Sequence, residues 1–219
     1  MDERQTATTR SSTVEAWTDA LAQSTGSPGG GAGTGVMLAV AASLTSMVAG
    51  YTEADGPRRA EVDGLRERAQ SLRGTALRLA DEDAAASRAF GAAFRMKPGP
   101  QRDEAIHRAC VDAAKASAVL GEHAVGAIDD LAWLAANGNR ALIADVVVAF
   151  GALRAAVAGA RTNVSFDLAS LRSAGKSLEE VRDLHPDLWE SVEQLERAIA
   201  RIDSLTADVD GRAAPTGTV

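Results

Sequence analysis

From Val62 onward, apolar or small residues recur at alternating intervals of three and four: Val62, Leu65, Ala69, Leu72, Ala76, Leu79, Ala86, Phe90 and Ala93. Asp83 occupies the one charged place in that row. The spacing is that of a helix with a single buried seam, and it predicts a helix of about 30 residues. Lys97-Pro98-Gly99-Pro100 ends it. The same arithmetic resumes through Ile106, Cys110, Ala113, Ser117, Leu120, Ala124, Ala127, Leu131 and Leu134, predicting a second long helix. Two long helices joined by a short Pro/Gly turn predict an antiparallel hairpin.

The other elements are helical too. Val14, Trp17 and Leu21 share one face of a short helix over Thr13–Ala22. A second helix runs from Ala32 to Tyr51, after the turn Ser27-Pro28-Gly29-Gly30-Gly31. Asp55-Gly56-Pro57 breaks the chain, and Pro57 suits a first helical position. Asn137-Gly138-Asn139 is a stop and restart, followed by a helix over Ala141–Leu171 that is apolar nearly all round. Its stripe Asp145, Ala149, Ala152, Ala156, Gly159 and Asn163 is small enough to admit a close partner, which predicts a central helix. Gly175 ends it; a helical turn at 177–182 and a helix over Asp187–Leu205 follow. The fold class is all-α: one domain over 12–206, a bundle of five to six helices. Residues 1–11 and 207–219 lack periodicity and read as disordered tails.

Composition agrees. Alanine occurs 46 times and aromatics are 4% of the chain, which favours helices at close range over sheets. Cys110 alone cannot form a disulfide scaffold or a Cys-based zinc site, and it suits a reducing, cytoplasmic setting. The net charge of −7 argues against a general nucleic-acid surface. Residues 1–12 are polar, unlike a signal peptide, and Val36–Tyr51 falls short of the roughly 20 residues that span a bilayer, so no membrane partner is expected. Long apolar seams exceed what one hairpin covers, which predicts a homodimer.

Three places could carry chemistry. The glycine-rich turn opens a helix, where free N–H groups and the helix dipole suit an anion; close helix packing explains the glycines equally well. Asp83 sits in the apolar seam, and Asp145 interrupts Leu142-Ile143-Ala144-Asp145-Val146-Val147-Val148. A carboxylate among apolar neighbours is either ion-paired or faces a site. Asp145 has a further reading as a charge serving the helix restart. His107, His123 and His185 are scattered without metal-ligand spacing, so no metal is expected.

These same places carry a resemblance. Trp17-Thr18-Asp19-Ala20-Leu21-Ala22, then Ser27-Pro28-Gly29-Gly30-Gly31 with a helix ending Met47-Val48-Ala49-Gly50-Tyr51-Thr52, resembles the opening of the formiminotransferase-cyclodeaminase C-terminal domain family. Leu79-Ala80-Asp81-Glu82-Asp83-Ala84 with Phe90, and Ala136-Asn137-Gly138-Asn139 through Asp145 to Gly159-Ala160-Arg161-Thr162-Asn163-Val164, are similar to its later segments. The chain departs from the pattern at Ala32, Ala141 and Ala144, which are usually polar, at Asp167, often Asn, and at Pro57-Arg58-Arg59, which replace lysines.

The resemblance implies an all-helical dimer acting on a tetrahydrofolate derivative with no bound cofactor. The reaction is formimidoyltetrahydrofolate cyclodeamination or methenyltetrahydrofolate hydrolysis. It implies Asp83 and Asp145 as catalytic carboxylates. Pro28, Gly29, Gly30, Gly31, Asn139, Asn163 and Arg161 would bind substrate, with Arg58 and Arg59 as further cations for its anionic tail. The departures leave an alternative, a catalytically impaired relative serving as a folate-binding or structural dimer.

Overall fold

The computed structural model describes residues 8–24, 27–172 and 177–213. The turn residues 25–26, the helix stop at Gly175 and the outer parts of both expected tails lie outside the described residues. The elements are α1 (Val14–Leu21), α2 (Gly30–Gly50), α3 (Gly56–Phe94), α4 (Pro100–Gly126), α5 (Ile128–Asn137), a 3-10 turn (Arg140–Leu142), α6 (Ile143–Arg172), α7 (Leu178–Leu184) and α8 (Pro186–Ala213). There is no strand among the described residues.

The helices pack as the seams require. α2 lies between α3 and α6, α4 packs on α3 and α6, and α8 covers α6 and α4. The main core gathers Leu38, Leu65, Ile128, Leu131, Phe150, Leu153 and Ile202, all essentially inaccessible. α6 is central, as its small stripe predicts: Ala149 and Ala156 are fully buried. Glycine allows the closest approaches. A Cβ added at Gly159 would overlap Thr34 of α2, and one at Gly35 would lie 2.7 Å from Ala80 Cβ of α3. Side chains there would push the layers apart.

Three boundaries differ from expectation. The second seam is not one helix: at Ala127 the N–H bonds Ala124 O at 3.2 Å, a tighter turn that separates α4 from α5 at Gly126. The C-terminal tail begins later than 207, because α8 continues to Ala213 with Val209 only 1% exposed. Leu188, Leu195, Ile202 and Val209 are spaced by sevens, a heptad seam that extends beyond the expected end. The N-terminal segment is tethered as well. Thr9 N–H donates to Asp81 Oδ1 at 2.6 Å, and the Trp17 indole donates to Thr9 Oγ1 at 3.1 Å.

Two helices, α2 and the stretch Arg140–Leu171, are long and apolar enough to cross a membrane by length and composition. α2 is longer than the sequence suggests because its helix takes in the glycines from Gly30. Both pack against neighbouring helices, with 56% of the apolar window of α2 buried and 33% of that of Arg140–Leu171.

Candidate functional site

Gly29 is the N-cap of α2 and offers no side-chain bond to the first free N–H groups. Asp83, from the middle of α3, takes over that role: its carboxylate accepts the N–H of Ala32. Helix α2 is thus capped by a residue on a neighbouring helix. The approach is possible because position 31 is glycine. A Cβ on Gly31 would lie within 2.5 Å of both Asp83 oxygens. Pro28 is buried in the preceding loop, whose Ser27 Oγ donates to Ala84 O at 2.9 Å.

The other oxygen of Asp83, Oδ2, is buried and has no hydrogen-bond partner. A buried polar atom without a partner costs about 1–3 kcal/mol, more when charged, and so points to a ligand or reaction role. Asp83 borders a cavity of about 330 Å³ at the N-terminus of α2. Gly30 and Gly31 form one wall, Ser87 and Phe90 of α3 a second, Ser117 of α4 a third, and Asn163, Phe166 and Asp167 of α6 the fourth. No Lys, Arg or His lines it among the described residues.

Asp167 completes the electrostatics. Burial and then the charge of Asp83 push its carboxyl up to about 7. Burial also raises Asp83, partly offset by the Ala32 N–H. Two carboxyls facing one apolar cavity cannot both ionise freely, so they titrate as a pair that holds a proton near neutrality. Such a pair can give a proton, take one, and sit beside a cation.

The structure brings together only part of the predicted set. Gly30, Gly31, Asp83 and Asn163 line the cavity. Asp145 does not: it lies in the first turn of α6, about 27 Å along the helix from Asn163. There its charge favours the helix N-terminus, so Asp83 and Asp145 cannot serve one reacting centre within one chain. Asn139 also sits at that far end. Its Nδ2 donates to Tyr51 O at 3.0 Å and its Oδ1 accepts Ala141 N–H at 3.0 Å, tying the restart to the end of α2. Arg161 turns away from the cavity to Glu196 of α8, at 2.9 Å. Arg58 lies over Trp133, and Arg59 pairs with Asp63 at 3.1 Å. Asp167, which the sequence marks only as a departure from the family pattern, joins the candidate site by lining the same cavity. Its signal was its place one turn beyond Asn163 on the same face of α6. His107 and His185 come together, ring centres 6.3 Å apart, away from the cavity, and no group of three or more metal-ligating side chains occurs among the described residues.

The fold has a solved counterpart. The crystal structure of formiminotetrahydrofolate cyclodeaminase from Thermotoga maritima superposes with a TM-score of 0.77 at 22% identity, over 91% of this chain and 96% of that one. No curated protein matches the sequence. A family model, described as formiminotransferase-cyclodeaminase, matches residues 13–184, most of the bundle and every residue of the cavity. The chain belongs to the formiminotransferase-cyclodeaminase family.

Proposed function

We propose that this protein is a folate one-carbon enzyme acting on N5/N10-bridged tetrahydrofolate, as a formimidoyltetrahydrofolate cyclodeaminase or a methenyltetrahydrofolate cyclohydrolase. The observation that carries the reading is the Asp83–Asp167 pair in a cavity without cations, one oxygen of Asp83 left without a protein partner. Both reactions pass through a delocalised C–N cation and a tetrahedral adduct. A carboxylate beside the cation stabilises it, and a neighbouring acid moves the proton.

In cyclodeamination, N10 attacks the carbon of the protonated formimino group and a C–N bond forms. The ionised carboxyl takes the N10 proton, and the protonated one gives its proton to the departing nitrogen. The C–N bond to that nitrogen breaks, ammonia leaves and the methenyl cation remains. In hydrolysis, water attacks the methenyl carbon and a carboxylate takes its proton; one C–N bond of the adduct then breaks, its nitrogen taking that proton back while the adduct's hydroxyl gives up its own to solvent, and the formyl product remains. Asn163 and Ser117 supply neutral hydrogen bonds to the ring system, and Phe90 and Phe166 supply apolar walls. The enzyme works in the cytoplasm as a homodimer. The outer stripe of α2 supports that assembly, with Met37 and Val40 nearly half exposed and Tyr51 two-thirds exposed.

The test follows methenyl-folate absorbance with purified protein, offering formimino- and methenyl-tetrahydrofolate separately. Turnover of one and not the other assigns the reaction. Tight binding of both without turnover supports the impaired-relative alternative, and neither binding nor turnover refutes the folate reading. Light scattering that shows a monomer at micromolar concentration refutes the dimer.

A further inference from the structure

Deeper in the bundle, beside the substrate cavity, lies a second and much smaller space. It measures about 10 Å³ and is walled by Thr34 of α2, Leu79 and Asp83 of α3, Ser117 and Leu120 of α4, and Asn163 of α6. Asp83, Ser117 and Asn163 also line the substrate cavity, so the two spaces meet at those three side chains. A niche of this size admits one water molecule and not two. Whether such a niche is wet depends on its walls. An apolar one stays dry, whereas a buried water is held by about three polar partners.

The walls here supply those partners. Among the described residues the buried polar side chains are Thr34, Thr45, Thr52 and Ser117. The three threonines satisfy themselves by donating to the carbonyl four residues back, at 2.9, 2.8 and 2.8 Å. Ser117 is the exception. It is only 6% exposed, yet its hydroxyl makes no hydrogen bond among the described residues. The half-buried Asn163 amide makes none there either, and Asp83 Oδ2 is the buried oxygen already noted as lacking a partner. Three helices thus turn unpartnered polar groups toward one water-sized space, and the groups stand too far apart to bond one another. Polar groups held at such a separation are bridged by water.

We propose that this niche is the site of a single internal water molecule, held by Asp83, Ser117 and Asn163. The water donates to Asp83 Oδ2 and to the side-chain oxygen of Asn163, and accepts from the Ser117 hydroxyl. That arrangement leaves Asn163 Nδ2 and the lone pairs of Ser117 Oγ for the substrate cavity. It also solvates Asp83 from its inner side, so the ionised carboxylate keeps its place instead of turning toward bulk solvent. Ser117 is then a positioning residue, acting on Asp83 through the water. Asp83 from α3 and Asp167 from α6 are the titratable groups lining the two spaces among the described residues. α2 contributes none, and α4 brings the Cys110 thiol within reach of the Asp167 charge. The effect on turnover rests on the folate reading; the water site does not.

A high-resolution crystal structure of the folate-free protein tests the site. One ordered water should lie about 2.6–3.2 Å from both Asp83 Oδ2 and Ser117 Oγ. Ordered side chains with no water between them overturn the proposal. Ala116 supplies the functional arm, because it lines the niche and not the substrate cavity. Ala116→Val fills the niche and should expel the water. Its kcat should fall at least about tenfold with KM within about threefold of wild type. The acid limb of kcat/KM should move to higher pH, because the Asp83 charge loses its inner solvation. A purely structural filling leaves that limb in place, and an unmoved limb with unchanged kcat overturns the water's role. Ala116→Ser, which offers a hydroxyl in place of the methyls, should lose much less than the valine variant; equal losses overturn that role too. Ser117→Ala removes a partner without filling space, so it keeps the site testable if the valine variant does not fold. Its crystal structure should show the water weakened or gone, and a water of undiminished order there overturns the part given to Ser117. An ordered water in a protein that turns over neither folate refutes the folate reading alone, and turnover with no water in the niche refutes this site alone.

Discussion

Gly31→Ala is the most incisive perturbation, because it sets two known effects against each other at one atom. In an unobstructed helix the change is favourable by up to about 1 kcal/mol. Gly30 next door shows that case: an added Cβ there meets nothing within 4 Å. At Gly31 the same methyl falls within 2.5 Å of both Asp83 oxygens, and the carboxylate must move. Moving it forfeits the bond from Ala32 N–H, a charge-assisted interaction of roughly 1.5–3 kcal/mol. The net loss is about 1–2 kcal/mol, a fall in Tm of roughly 2–8 °C for a chain of this size. Turnover should fall at least about a hundredfold, because the acid leaves its place in the cavity. Gly30→Ala should instead hold or raise Tm and keep turnover within a few-fold. Adding Asp83→Ala to Gly31→Ala removes the clash, so the double variant should regain stability without regaining turnover. Such non-additivity is the signature of direct contact. Calorimetry and the methenyl-folate assay read all four proteins. Indistinguishable behaviour of Gly31→Ala and Gly30→Ala would refute the account of the site.

Asp83→Asn keeps an oxygen for Ala32 N–H while removing a poorly solvated charge, so Tm should hold or rise as turnover falls about a hundredfold; a lower Tm with full turnover would mark Asp83 as purely structural. The raised carboxyl of Asp167 gives a signed pH dependence. Its folded value of about 7 lies above the unfolded value, so ionising Asp167 costs no stability below about pH 4 and costs progressively more as pH rises toward 7. Asp167→Asn should therefore be more stable than wild type at pH 8 but not at pH 4 by urea unfolding, and kcat/KM should lose a titration limb near 7; identical profiles would exclude the carboxyl pair. Gly159→Ala forces α2 and α6 apart at Thr34, and should lower stability by about 1–3 kcal/mol in denaturant titration, where no change would contradict the packing.

The sequence by itself determined the helices and much of their order of packing. A seam at intervals of three and four can be buried only on a helix, so α3, α4 and the central place of α6 follow from periodicity. The same rule, pursued through Leu188, Leu195, Ile202 and Val209, carries α8 past the expected tail. It also marked Asp83, because a carboxylate in an apolar row needs a reason. Periodicity gives the face a residue occupies but not the height at which helices meet. Only the tertiary structure decided that Asp83 lies level with the start of α2, close enough to cap it through Gly31, and that Asn163 and Asp167 close the same cavity. It equally decided that Asp145 and Asn139 stand at the other end of the bundle, where they serve the helix restart within one chain. The reason is dimensional: a helix advances about 1.5 Å per residue, so two acids on one face can share a seam and still lie tens of ångströms apart.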